Sequence, residues 1–147
     1  MRRAVLIIVI IFVVFQLIPV NRDNPEYNPS SEIELKGEAK LIIQTACYDC
    51  HSNNTKWPWY SYVAPASWLV AYDVHEARDE MNFSLWNTYS QKRINRKFQE
   101  IVEEIEEKEM PLPMYLLTHS EADIDEAQRA ILINWAKSNL DSLSIPE

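Results

Sequence analysis

The chain of 147 residues contains a single glycine, Gly37. Hairpins, bulges and phosphate-cradling loops need residues that tolerate positive φ, and glycine is their usual supplier. A sheet-rich fold and a glycine-rich nucleotide loop are disfavoured on that ground alone. With 47% hydrophobic residues the chain is too apolar for disorder. The expectation is an all-α fold whose reversals are made by some of its 8 prolines. Gly37 is expected in the first turn of a helix, where it is tolerated at modest cost.

The apolar residues are unevenly spread. Ala4 to Val20 carries no charge and follows Arg2 and Arg3. Seventeen residues at helical rise span about 26 Å, the short end for a bilayer crossing. No small-residue cleavage site follows. Residues 1–20 are therefore expected to form an N-terminal transmembrane anchor, with a signal segment as the alternative. The paired arginines would stay cytoplasmic. That predicts a single pass through a bacterial inner membrane by residues 4–20, with the soluble domain on the periplasmic side. Residues 21–30, with Pro25 and Pro29, read as an extended tether. Residues 31–147 read as one domain. All 22 acidic side chains of the chain lie after Val20, so its net charge of −8 understates the acidity of that domain. Such a surface repels nucleic acid and favours a basic partner if any charged one.

Four helices are expected in the domain. The first runs from about Ser31 to Ala46, with Leu35, Ala39, Ile42, Ile43 and Ala46 at helical spacing. Pro65 opens a second that runs to about Met81 and carries Trp68, Tyr72 and His75 on one face. The third covers about Ser90 to Glu109, with Ile94, Phe98, Ile101 and Ile105 as its apolar stripe. Its charges run from basic (Lys92, Arg93, Arg96, Lys97) to acidic (Glu100 to Glu109), against the helix dipole. Ser120 reads as the N-cap of the last helix, about Glu121 to Leu140, with Asp123 completing a weak capping box. Two proline loops, Ser52–Pro65 and the segment around MPLPMYLL, separate these helices. Long ordered loops usually carry function.

Both cysteines fall in one pentapeptide, Cys47-Tyr48-Asp49-Cys50-His51. C-x-x-C-H is the attachment signature of c-type haem. Each thiol can add across one vinyl group of haem, which leaves His51 to ligate the iron. A structural zinc site would need four ligands, and usually a second such pair. A thioredoxin-like dithiol would need a βαβ context. Neither accompanies the motif here; a plain local disulfide remains open.

From this motif the chain resembles the class I c-type cytochromes. Ala39 and Ile43 sit eight and four residues before Cys47, and Leu132 and Trp135 form an i, i+3 pair in the last helix. The narrower resemblance is to a small haem-binding domain family of exported, often membrane-anchored bacterial proteins. It is carried by CYDCHSNNTKWPWYSYVAPASW, MNFSLW and MPLPMYLLTHSEA and spans about Gly37 to Leu140. It implies a cytochrome c-like helical domain around one haem c, held through Cys47 and Cys50.

Met110, followed by Pro111, sits where class I cytochromes present the distal methionine. Met114, His75 and His119 are the alternatives for the sixth position. Trp57 and Trp59 directly follow the motif and are expected to cover the haem. The function expected is that of a membrane-tethered monohaem cytochrome, an electron carrier and not an enzyme, with a redox partner protein. A haem-based sensor with an open or displaceable distal ligand is the alternative, and a peroxidase-like enzyme a further one.

Overall fold

The computed structural model describes residues 1–143. Among these the chain is all-helical, with seven α-helices and no strand. They are α1 (Arg2–Gln16), α2 (Gly37–Ala46), α3 (Tyr48–His51), α4 (Ala66–Glu80), α5 (Gln91–Glu106), α6 (Pro113–Leu116) and α7 (Glu126–Leu143). Short 3-10 segments at Pro29–Ser31, Trp59–Tyr62, Phe83–Thr88 and Ser120–Ala122 join them.

The N-terminal expectation is corrected. Among the described residues no helix is long and apolar enough to cross a membrane. α1 stops after 15 residues, about 22 Å at helical rise against roughly 30 Å of hydrocarbon. It closes in tighter i−3 turns, Leu17 N–H on Val14 O at 3.1 Å and Ile18 N–H on Phe15 O at 3.3 Å, and its last turn is held against the domain. The Ala64 N–H donates to Gln16 Oε1 at 2.9 Å, and Gln16 Nε2 donates back to the Phe12 carbonyl at 2.9 Å. The Phe15 ring meets Trp68 edge-on at 5.2 Å. Pro19, lacking an N–H, cannot continue the helix.

Two further helix starts, those of α2 and α7, differ from the sequence reading, while that of α5 agrees with it. α2 begins at Gly37, not at Ser31, because Gly37 has φ +61° and breaks the path from the extended residues before it. α5 begins after Ser90, whose side chain accepts from Arg93 N–H. α7 begins after Asp125: its carboxylate accepts from Gln128 N–H at 2.8 Å, and Gln128 Oε1 accepts from Asp125 N–H at 2.9 Å. That reciprocal pair is a capping box. It outcompetes the expected Ser120–Asp123 pair, which forms only a 3-10 turn.

The core forms where α2 and α5 pack on α7. Ala39, Ile43, Phe98, Ile105, Leu132 and Ala136 are buried there. An aromatic series runs through it. Tyr48 stacks on Phe83 at 5.5 Å and Phe83 on Trp86 at 5.9 Å; Trp86 then meets Phe98 at 5.0 Å and Phe98 meets Trp135 at 5.3 Å. Each such ring contributes large buried area, plus about 0.5–1.5 kcal/mol per well-placed pair. On α4 the buried residues are Ser67, Ala71, Val74 and Arg78. These are mostly small, so α4 approaches α3 closely. The expected Trp68–Tyr72–His75 face is split: Tyr72, 61% exposed, and His75 turn outward, while Trp68 is half-buried against Phe15.

α5 ends without glycine. Lys108 takes the left-handed position at φ 62°, and the Glu109 N–H closes the turn on the Glu104 carbonyl at 3.0 Å. A side chain there costs about 1 kcal/mol relative to glycine. At Gly37 a Cβ would meet nothing within 4 Å, so the demand for glycine is conformational only. Gly37→Ala should therefore lose about 1 kcal/mol of stability, and Lys108→Gly should gain about 0.5–1 kcal/mol, in urea denaturation at equal m-value.

Candidate functional site

The C-x-x-C-H pentapeptide sits at the end of α2. Cys47 N–H still donates to Ile43 O at 2.9 Å, and Cys50 and His51 N–H then close a further turn on Cys47 O at 3.2 and 2.8 Å. That turn puts Cys47, Cys50 and His51 on one wall of a cavity of about 540 Å³. The volume lies within the usual range for small-molecule and cofactor sites. Ile43, Phe83, Ile101, Ile105, Leu132 and Trp135 supply much of the apolar lining.

The orientation of His51 follows from its surroundings. Its Nδ1 lies 3.0 Å from the carbonyls of both Ala77 and Met81. Carbonyls only accept, so Nδ1 carries the hydrogen and donates. Nε2 then holds the lone pair, and no described residue hydrogen-bonds to it. Burial lowers the His51 pKa from its ordinary value, against the two carbonyl bonds, which raise it. A neutral imidazole with one nitrogen anchored to backbone and the other free is the form that binds a metal.

The two cysteines are free thiols. Burial pushes Cys47 up to about 12 and Cys50 up to about 11. Both are protonated at neutral pH and are poor metal ligands in that state. Among the described residues no group of three or more His, Cys, Asp or Glu side chains is placed to hold a metal ion by itself.

The two residues between the cysteines pin the motif. Tyr48 Oη donates to Glu32 Oε1 at 3.1 Å. Asp49 Oδ1 accepts from Lys56 N–H at 3.0 Å, and its Oδ2 accepts from Tyr115 Oη at 2.9 Å. Tyr115 lies in the segment after Met110 and lines the same cavity. One hydrogen bond thus joins the motif to the loop expected to supply the sixth ligand.

Met110 lines the cavity together with Pro111 and Leu112. Its backbone is held from two helices. Met110 N–H reaches the Glu104 carbonyl at 3.4 Å, and Arg129 of α7 donates to the Met110 carbonyl at 3.5 Å. The alternatives lie elsewhere. Met114 is 65% exposed. His75 is exposed and reaches the Asn21 carbonyl at 3.3 Å. His119 stacks on the outer side of Tyr115 at 4.0 Å. None of the three lines this cavity.

The tryptophans after the motif are corrected too. Trp57 and Trp59 are not part of the cavity lining. Trp59 is 78% exposed. Trp57 is half-buried, and its indole N–H finds no partner among the described residues. The 3-10 turn Trp59–Tyr62 carries this segment away from the motif and against α4. Phe83 and Trp135, at a distance in sequence, supply the aromatic lining in their place.

Three cations escaped the sequence reading. Arg78 is buried, and its guanidinium donates to Ser52 O (2.8 Å), Asp23 O (3.0 Å), Asn24 Oδ1 (2.7 Å) and Thr55 Oγ1 (2.8 Å). It ties the N-terminal stretch and the loop after His51 to α4. Arg129 holds the methionine loop. Lys97, with its side chain only 4% exposed, pairs with Glu80 at 2.9 Å and Glu100 at 2.6 Å. Nothing in a single sequence marks these against the other basic residues. Only Lys97 carried a signal, since it lies beside Phe98 on a stripe-bearing helix.

A family model described as a haem-binding domain matches residues 10–138 of the chain. No curated protein and no solved structure matches it.

Two measurements test this geometry. Arg78→Leu leaves four acceptors unpaired and should cost about 3 kcal/mol in denaturation. Arg78→Lys should recover little of that, because an ammonium cannot span the fork. For His51, the folded form resists protonation while the unfolded form titrates near 6.5. Below that value the unfolded state binds more protons, so its share of stability is present above about pH 6.5 and is lost as pH falls. The denaturation midpoint of haem-free protein should therefore drop on acidification more steeply than that of a His51→Gln variant.

Proposed function

Because this chain belongs to the haem-binding domain family, and so binds haem, we propose that it is a monohaem c-type cytochrome that transfers electrons outside the cytoplasm. The observation that carries the reading is the anchoring of His51: both carbonyl bonds are spent on Nδ1 and Nε2 is left for iron. A histidine directly after two free thiols, on the wall of an apolar cavity, fits haem and little else.

In this reading Cys47 and Cys50 would hold the haem through two thioethers, each thiol S–H adding across one vinyl group. His51 and Met110 would hold the iron. The bound group supplies a reversible one-electron couple. The protein supplies the rest. The α4 carbonyls fix the imidazole plane, Asp49 and Tyr115 hold the two ligand-bearing segments in register, and the lining of Ile43, Phe83, Leu132 and Trp135 excludes water. Low-dielectric burial and thioether ligation both favour the reduced state. The chain then acts as a carrier or an electron inlet, the acidic half of α5 favouring a basic redox partner. Covalent attachment implies a compartment outside the cytoplasm, where such haem is fitted.

The test is the full chain matured with the haem-attachment machinery. A haem stain after denaturing electrophoresis and a pyridine haemochrome spectrum should show one covalent haem per chain; its absence would overturn the proposal. Met110→Leu should remove the far-red band of methionine-bound ferric haem and open the iron to carbon monoxide, while Met114→Leu should leave both unchanged. Ready carbon monoxide binding by the unmodified protein would instead point to sensing.

A further inference from the structure

We propose that Arg96 and Lys97, adjacent on α5, form the subsite for the two propionate carboxylates of the haem; the inference rests on the haem reading above. The cavity wall bears charge very unevenly. Five carboxylates line it, those of Asp73, Glu76, Glu80, Glu100 and Glu104, against two cations, Arg96 and Lys97. Haem brings two further negative charges. Set against the acidic stretches they would meet like charge in a poorly hydrated place, which is costly. Against Arg96 and Lys97 they meet the only cations among the described residues that line the cavity.

The form of the cluster supports the assignment. An ammonium 4% exposed is far from the ordinary solvated place of a lysine. It occupies the cavity-facing side of α5 with Ile101 and Glu104, at positions where a purely structural helix would carry apolar residues. Its present partners are held more loosely than it is. The Glu80 side chain is 67% exposed and that of Glu100 34% exposed. Both carboxylates can turn into water and be rehydrated, whereas Lys97 cannot leave. Arg96, 66% exposed and 2.6 Å from Glu100, stands at the rim beside it. A buried fixed cation with two displaceable carboxylates is a carboxylate exchange site. One propionate is received by Lys97 inside and the other by Arg96 at the edge.

The experiment uses the full-length haem-loaded protein. It reads the propionate bending bands in resonance Raman spectra and the propionate methylene resonances in NMR spectra of the ferric form. Lys97→Met should displace the signals of at least one propionate, and Lys97→Arg should restore them, because a guanidinium binds carboxylate as well. Arg96→Gln, at an exposed position that the fold tolerates, should displace the signals of one propionate only. The pair Glu80→Gln and Glu100→Gln should leave the propionate signals in place. The subsite is overturned if Arg96→Gln leaves every propionate signal unmoved. It is equally overturned if the two Glu→Gln changes displace them as much as Lys97→Met does, since Lys97 would then act only as a helix clamp. Wild-type protein without haem defeats the function itself, a result distinct from loaded protein whose propionates ignore α5.

Discussion

The rest of the site depends on the grip of the α4 C-terminus on His51. The last carbonyls of an α-helix lack intrahelical partners. Those of Asp79 and Glu80 take the Arg93 guanidinium at 3.1 and 3.2 Å. The Ala77 carbonyl, which also accepts from the Met81 N–H at 2.9 Å, and the carbonyl of Met81 just past α4 both take the His51 Nδ1–H, so the end of α4 orients the His51 ring. The bonds settle which nitrogen is free, and hence on which side of the ring a metal can lie.

Once α4 is the anchor, its own position has to be secured, and two arginines do so from different directions. Arg78 joins it to the loop after His51 and to Asp23 and Asn24. Arg93 reaches it from α5. The buried bonds are those of Arg78, and they matter because the buried face of α4 is mostly small. Interior polar contacts of this kind are costly to break singly, because each removal strands its partners. The methionine loop has the same logic in miniature. Its ends are tied by Arg129 and by the Tyr115–Asp49 bond, so the two walls of the cavity are held in one frame.

The scarcity of glycine has a visible consequence at helix ends. Gly37 is spent where α2 must start from a left-handed residue, and α5 has to close with Lys108 in that conformation. The prolines and 3-10 segments carry the remaining turns. One of those segments, Trp59–Tyr62, takes Trp57 and Trp59 away from the cavity they were expected to cover. Sequence adjacency to a motif did not become spatial adjacency: neither tryptophan lines the cavity, and the chain after them packs on α4.

Much of the architecture was legible in local pattern. The helical class and the Ile94–Phe98–Ile101–Ile105 stripe follow from spacing, which acts over three or four residues and needs no tertiary information; the approach of Ala39 and Ile43 to the last helix was implied by the resemblance to class I cytochromes. The placement of Cys47, Cys50 and His51 on one wall of the cavity was legible in the same way, because a motif of five contiguous residues defines its own reach. What spacing could not decide was which of several equivalent residues faces inward. Met110 and Met114 lie in one loop, and only the packing of that loop under α7 brings the first to the cavity wall. The end of α1 was likewise open: an apolar run extends to Val20, yet Gln16 finds the backbone of Ala64, 48 residues away, and the helix stops there. Residue types and their periods determined that this chain is a helical haem-binding protein. Hydrogen bonds between segments far apart in sequence decided where His51 and Met110 sit on the cavity wall, since a lone donor or acceptor is satisfied only by what the fold brings to it.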